Sequence, residues 1–185
     1  MSETVTKAVV LAAGRGTRMR ELTRTMPKPM VEVCGKPVLS YIVEGLRDVG
    51  VRKILLVVGY RKEVVMEEFG DGSAAGVEIV YIEQITQDGT GKVVELAKEF
   101  CGPDPFILSY GDILVDRSSY RLLTQPGDAD LLLTVRRTQD ASKGGAVYLN
   151  ERFEVVDLRE KQLPEDVSTP WLNAGVYAFK STIFS

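Results

Sequence analysis

Residues Lys7–Ala13, "KAVVLAA", are a run of small and β-branched apolar side chains that opens straight into "GRGTRMRELTRTMPKP". An apolar run without polar alternation is what a strand buried on both faces requires, and such strands belong to parallel sheets covered by helices. The segment that leaves it is broken by Gly14 and Gly16. It carries Arg15, Arg18, Arg20, Arg24 and Lys28 against the single acid Glu21. The chain as a whole has a net charge of −3, so this positive charge is a local feature. Its compactness suits one anionic ligand better than a polymer.

The alternation of apolar runs and helical spacing continues along the chain. Pro37–Val49 has apolar residues at helical spacing, with Pro at its start and Gly50 past its end. Lys53–Val58 reads as a second buried strand, Arg61–Phe69 as a short helix closed by Gly70, and Val77–Ile82 as a third strand. Thr90–Phe100 reads as a helix and Phe106–Ser109 as a fourth strand. Ala129–Val135, Gly145–Leu149, Glu154–Leu158 and Ala174–Phe179 follow as strands, with one helix near Ser118–Leu123. This order predicts an α/β fold, an open, mostly parallel sheet with helices on both faces. Ligands of such sheets bind beyond the carboxyl ends of the strands, which is where the basic loop departs.

Composition removes several classes of function. With no histidine, Ser-His-Asp and Cys-His machinery is excluded. Cys34 and Cys101 are too few and too scattered for a zinc site or a disulfide framework, and each is expected as a buried or half-buried thiol. The acidic balance argues against nucleic-acid binding. The first apolar run is too short to span a bilayer, and Glu3 stands where a signal peptide carries positive charge. At 185 residues, 44% of them hydrophobic, one globular domain with a real core is expected. The sequence thus predicts a soluble, cytoplasmic protein with neither a nucleic-acid nor a membrane partner.

Three uses of a glycine loop after a first strand can be weighed. A dinucleotide fingerprint needs a third glycine where Met19 stands, and an acid ending the second strand where "KILLVVGY" stands. A P-loop needs glycine directly before Lys-Ser or Lys-Thr, a tripeptide this chain lacks. A strand-to-helix turn with solvated arginines remains, since charge runs commonly decorate surfaces. Against it, glycines let backbone N–H groups approach a ligand and guanidinium groups bind phosphate oxygens bidentately. That combination suits a polyphosphate.

"LAAGRGTRM…PKP" resembles the signature of the sugar-1-phosphate nucleotidyltransferases, with its G-x-G-T-R pattern followed by a lysine in P-K-P. Further elements of that family follow in order: "QITQDGTG" from Gln84, "SYGDILVD" from Ser109, "KGGAVYL" from Lys143, "REK" from Arg159 and "NAGVYAF" from Asn173. The resemblance covers essentially the whole chain. It implies a Rossmann-like open mixed sheet and attack of a sugar 1-phosphate on the α-phosphorus of a nucleoside triphosphate, releasing pyrophosphate. By the same resemblance Arg18 sits on the triphosphate, and Lys28 bridges the α-phosphate and the sugar phosphate. Leu11, Ala13, Gly14, Gly16 and Thr17 line the nucleotide cradle, while Gln84 and Gly89 read the base, with Thr90 close to it. Gly145, Glu160, Lys161 and Asn173 take the sugar and its phosphate.

The chemistry is consistent with a chain lacking histidine. The nucleophile is already an anion and pyrophosphate leaves readily, so positioning and charge neutralisation suffice. A divalent cation is expected, and Mg²⁺ takes one or two carboxylates plus phosphate oxygens. Asp112, just after the fourth strand, is the candidate ligand, with an Asx-turn as its plainer alternative. Asp116 reads instead as a helix cap before Ser118 and Ser119. Thr90 could equally cap the helix it opens.

The base loop resembles uridylyltransferases slightly more than others, so UTP with a hexose or N-acetylhexosamine 1-phosphate is favoured over dTTP or GTP. The alternatives are a cytidylyltransferase for phosphocholine or inositol phosphate, and a non-catalytic nucleotide-sugar-binding homologue. A homo-oligomer is compatible with either. Two departures from the pattern stand out. Gln162 follows the Glu-Lys pair where the family carries proline, and the chain stops shortly after "NAGVYAF". The family domain runs on to a second acidic metal ligand, so a domain shortened at its C-terminal end is expected.

Overall fold

A computed structural model describes residues 4–14, 16, 23, 25–84, 90–160 and 162–184, and leaves the side chains of 90–94 and 96 aside. Strand β1 (Lys7–Leu11) is followed by a two-stranded hairpin, β2 (Glu32–Val33) and β3 (Lys36–Pro37), and by helix α1 (Val38–Asp48). Next come β4 (Lys53–Val58), α2 (Lys62–Phe69), β5 (Glu78–Glu83), α3 (Thr90–Cys101), β6 (Phe106–Tyr110) and α4 (Arg117–Leu123). The remainder is β7 (Leu131–Arg137), β8 (Ala146–Leu149), β9 (Val155–Arg159) and β10 (Trp171–Phe179). The expected alternation is therefore present, as a mixed, mostly parallel sheet of eight strands with helices.

The chain divides into two compact units, one of residues 1–132 with 177–185, the other of 133–176. In the first, the strands lie in the order β5-β4-β1-β6, and each neighbouring pair is parallel. Val9, Val10, Ile54, Leu56, Phe106 and Ile107 are fully buried, as runs without polar alternation demand. On one side Val9, Leu55, Val57, Phe106 and Leu108 pack with Ala97 and Cys101 of α3 and with Phe179. Phe106 stacks on Phe179 and Phe184 with ring centroids 5.4 and 5.7 Å away. Helices α1 and α4 contact each other, and Gly45 lets the Tyr120 ring approach so closely that a Cβ there would lie 3.0 Å from it.

Lys7 ties β1 to the end of α3. Its ammonium donates to the carbonyls of Phe100 and Cys101 at 3.1 and 3.0 Å and pairs with Asp104 at 2.7 Å. The last carbonyls of a helix have no partner within it, so a cation there satisfies both hydrogen bonding and the helix dipole.

In the second unit β8 pairs antiparallel with both β9 and β10. Ala146 lies opposite Arg159 on one side and Leu172 on the other. Ala141, Ala146 and Leu172 form its small core, flanked by Tyr148 and Val167.

One expectation is corrected. Cys34 is exposed, whereas Cys101 is buried. Cys34 and Gly35 form the turn between β2 and β3 with φ of +52° and +75°. Both central residues of the tightest hairpin turns adopt such angles, and a turn that tight projects its side chains outward.

Candidate functional site

The registers of the first unit bring four strand ends to one edge. Leu11 lies opposite both Val57 and Tyr110, and Val58 lies opposite Glu83. Backbone bonds carry the ladder one step further: Ala12 N–H to the Val57 carbonyl at 2.8 Å, Gln84 N–H to Val58 at 2.8 Å, and Gly111 N–H to Leu11 at 3.0 Å. The residues just beyond, Ala13, Gly14, Gly59, Gln84 and Asp112, consequently share the carboxyl edge. Ligands of open α/β sheets bind there.

At that edge the Lys28 ammonium donates directly to the Asp112 carboxylate. Their side chains are 37% and 27% exposed, so both are within reach of a ligand. Lys28 is held by its neighbours. Pro27 and Pro29 flank it, and it begins a 3-10 turn, Lys28–Met30, in which Met30 N–H donates to the Pro27 carbonyl at 2.9 Å. Two fixed φ angles and the burial of Pro29 and Met30 anchor the backbone and leave the long side chain to move.

Gly111 makes the approach of Asp112 sterically feasible. A Cβ at Gly111 would stand 2.7 Å from the Leu11 carbonyl oxygen and 3.2 Å from Pro29 Cγ. Gly16 has φ +64°, and a Cβ there would meet both Lys28 and Thr23 at 2.9 Å. The Thr23 hydroxyl donates to the Gly16 carbonyl at 2.9 Å, and Lys28 N–H reaches the Gly14 carbonyl at 3.4 Å. The loop therefore folds back onto Lys28. Gly14, by contrast, has no atom of the described residues within 4 Å of where its Cβ would be, which leaves room beside its backbone.

Among the other expected nucleotide residues, Leu11 is half-buried, Ala13 buried and Gln84 half-buried, and Thr90 opens α3. Thr17, Arg18 and Gly89 lie outside the described residues, as does Lys161. Gly111 lies in "SYGDILVD", to which the sequence assigns no role at that position. The signal available was a glycine directly before the candidate acid.

The sugar-side candidates Gly145, Glu160 and Asn173 come together in the second unit. Extending the register by one residue from Ala146 places Gly145 between Glu160 and Asn173. Asn173 N–H donates to the Gly145 carbonyl at 2.8 Å. A Cβ on Gly145 would lie 3.3 Å from Asn173 Cβ and 3.8 Å from Glu160 Cγ. Glycine here leaves a gap between a carboxylate and an amide, groups suited to hydroxyls. The Asn173 amide oxygen accepts from Gly175 N–H at 2.9 Å, which fixes its orientation.

Asp116 is a cap, as expected. Its carboxylate accepts from Ser118 N–H at 2.8 Å and from the Ser118 hydroxyl at 2.6 Å. Those bonds hold its pKa below the ordinary value. Among the described residues no group of three or more His, Cys, Asp or Glu side chains clusters as a metal cage, and Asp112 offers one carboxylate. No helix among them is long and apolar enough to cross a membrane.

Comparison with known proteins identifies the family. The family described as nucleotidyl transferase matches over residues 7–185. The bifunctional protein GlmU of Methanococcus maripaludis is 34% identical over 177 residues, which are 96% of this chain and 41% of that protein. The UTP–glucose-1-phosphate uridylyltransferase AglF of Haloferax volcanii is 35% identical over 182 residues, covering 96% of this chain and 73% of AglF. A solved UDP-glucose pyrophosphorylase in complex with UDP-glucose superposes with a TM-score of 0.83 at 24% identity. That match covers 97% of this chain and 78% of the other, and it is a likeness of fold. The chain spans about two-fifths of the length of several GlmU proteins it matches.

Proposed function

The chain belongs to the nucleotidyl transferase family, and on that premise we propose that it transfers a nucleoside monophosphate from a nucleoside triphosphate to a sugar 1-phosphate. In this reaction a phosphate oxygen of the sugar 1-phosphate forms a bond to the α-phosphorus. The bond from that phosphorus to the β-phosphate oxygen breaks, and the electron pair leaves with pyrophosphate. UTP with a hexose or N-acetylhexosamine 1-phosphate is the favoured pair, supported by the sequence of the base loop and by the likeness to AglF.

The observation that carries the reading is the meeting of Lys28 and Asp112 at the carboxyl edge, beside the loop of Gly14 and Gly16. In the absence of a general base, a positioned cation next to a carboxylate is the equipment this transfer needs. Lys28 exchanges its carboxylate partner for the α-phosphate and the sugar phosphate, neutralising charge as it builds up. Arg18 takes the remainder of the triphosphate. Leu11, Ala13, Gly14, Gly16 and Thr17 form the cradle, and Gln84, Gly89 and Thr90 select the base. In the second unit Gly145, Glu160, Lys161 and Asn173 take the sugar and its phosphate.

Asp112 suits Mg²⁺, which binds through one or two carboxylates and keeps several waters and phosphate oxygens. When bound, the ion neutralises phosphate charge. The decisive experiment measures pyrophosphate release from UTP, dTTP and GTP with glucose, N-acetylglucosamine and mannose 1-phosphates in the presence of Mg²⁺. Release from at least one pair, lost in Lys28→Ala and Asp112→Ala, is expected. Absence of release from every pair, or equal release from the wild type and Lys28→Ala, would overturn the proposal.

A further inference from the structure

Glu160 immediately follows the edge strand β9, and its Cγ comes within 3.8 Å of where a Cβ on Gly145 would stand. The two faces of the β8–β9 pair suggest how it is held there. Alternation along β8 puts Gly145 and Val147 on one face and Ala146 and Tyr148 on the other. Tyr148 lies opposite Asp157, so Arg159, two residues on from Asp157, shares the Tyr148 face. Glu160 lies on the Gly145 face, beside Asn173.

Tyr148 grips the chain on both sides of Glu160. The Arg159 guanidinium sits over the Tyr148 ring, 5.1 Å from its centroid, and is held there by Asp157 through a 2.5 Å bond. The Tyr148 hydroxyl donates to the amide oxygen of Gln162 at 3.2 Å. A ring contact one residue before Glu160 and a hydrogen bond two residues after it restrict the backbone that carries the carboxylate. Both contacts come from the face opposite the gap, so they hold Glu160 without occupying the space a ligand would use.

We infer that Tyr148 and Gln162 are positioning residues for the sugar 1-phosphate, clamping the Glu160 segment so that its carboxylate faces the gap at Gly145. Fixing a binding group in advance removes the ordering cost that each binding event would otherwise carry. The effect falls on the sugar phosphate alone, because the triphosphate groups belong to the first unit. This inference rests on the proposed transferase reading, which assigns Glu160 to the sugar.

The test compares wild type, Tyr148→Phe, Gln162→Leu and the double variant in pyrophosphate release, using Mg²⁺ and the most active of the nucleotide and sugar 1-phosphate pairs named above. Amide hydrogen exchange of Glu160 and Gln162 is followed in the same proteins. Each single variant is expected to raise KM for the sugar 1-phosphate about fivefold, the worth of one hydrogen bond, with kcat and the nucleotide KM unchanged. The double variant should match the singles, since both remove the same bond. Exchange at Glu160 should quicken. An unchanged sugar KM, or an equal loss in every kinetic constant, would overturn the clamp. If the wild type releases no pyrophosphate from any pair, the transferase reading fails instead. The exchange data then decide the clamp by themselves, unaltered rates in Tyr148→Phe ruling it out.

Discussion

Lys28 and Asp112, 84 positions apart, form an ion pair across the ends of β1 and β6. Partly exposed pairs contribute about 0–1 kcal/mol to stability, so this one is a poor structural fastener. It does keep an ammonium and a carboxylate together where a phosphate can take the carboxylate's place on Lys28, and a cation the ammonium's place on Asp112. Lys28→Ala is therefore expected to lower kcat roughly 10²–10³-fold, by analogy with removal of a single group that stabilises transition-state charge. Its thermal midpoint should stay close to wild type. Steady-state pyrophosphate release and a melting curve on one preparation check both halves of the statement.

The loop glycines should separate by steric role. Gly111→Ala drives a methyl group into the Leu11 carbonyl 2.7 Å away, against backbone that cannot swing aside. A loss of about 1–3 kcal/mol in stability is expected, with activity falling as Asp112 is displaced. Gly14→Ala meets nothing within 4 Å among the described residues and should leave the denaturant midpoint unchanged. If the backbone there faces the triphosphate, the nucleotide KM rises while the fold is untouched. Urea titrations beside nucleotide saturation curves distinguish the two.

The strands were the most legible part of the chain. Lys53–Val58 is strand from end to end as read, because a run buried on both faces leaves no register to choose. β10 begins at Trp171, three residues before the expected Ala174, since Trp171 and Leu172 are recruited by pairing with β8. Such pairing is tertiary and leaves little local trace. The β2–β3 hairpin leaves no local signal, because Cys-Gly is not a familiar turn dipeptide, and the exposure of Cys34 follows from that hairpin. Strand order pointed to the edge where Lys28 and Asp112 both lie. Their direct contact depends on Gly111 admitting Leu11 and Pro29, a long-range fit that no local pattern encodes.

The two thiols should react very differently. Cys34 is exposed, whereas burial pushes Cys101 up from 9.0 to about 12, with Lys7 offsetting part of the effect. A disulfide reagent at pH 8 should label one thiol per native chain and two after denaturation. The same shift predicts a pH effect on stability. Between pH 9 and 12 the unfolded thiol loses its proton while the folded one retains it, so the folded state binds more protons and stability falls as pH rises. The slope from this group approaches about 1.4 kcal/mol per pH unit. Cys101→Ala should lessen the decline between pH 9 and 11, as read from unfolding free energies of both proteins. Equal declines would contradict it.

Tyr120 buries a polar group with no hydrogen bond of good geometry among the described residues. Its ring is buried against Gly45 of α1. The hydroxyl of nearby Ser109 donates to the Tyr110 carbonyl at 3.2 Å instead. Burial raises the Tyr120 pKa, and the nearby Ser109 side chain offsets part of that. An unpaired buried hydroxyl forfeits its bonds to water, at a cost of about 1–3 kcal/mol. Tyr120→Phe keeps the ring that fills the space beside α1 and deletes only the unpaired atom. Stability should hold or rise, by up to about 1 kcal/mol if the vacated volume stays empty. Gly45→Ala is the counterpart. Alanine favours the helix by about 1 kcal/mol, but its Cβ would press on the ring at 3.0 Å, so a net loss is expected and Tyr120→Leu should relieve it. Chemical denaturation of the three variants and of the Gly45→Ala/Tyr120→Leu pair gives the signs, and a less stable Tyr120→Phe would mean that the hydroxyl has a partner after all.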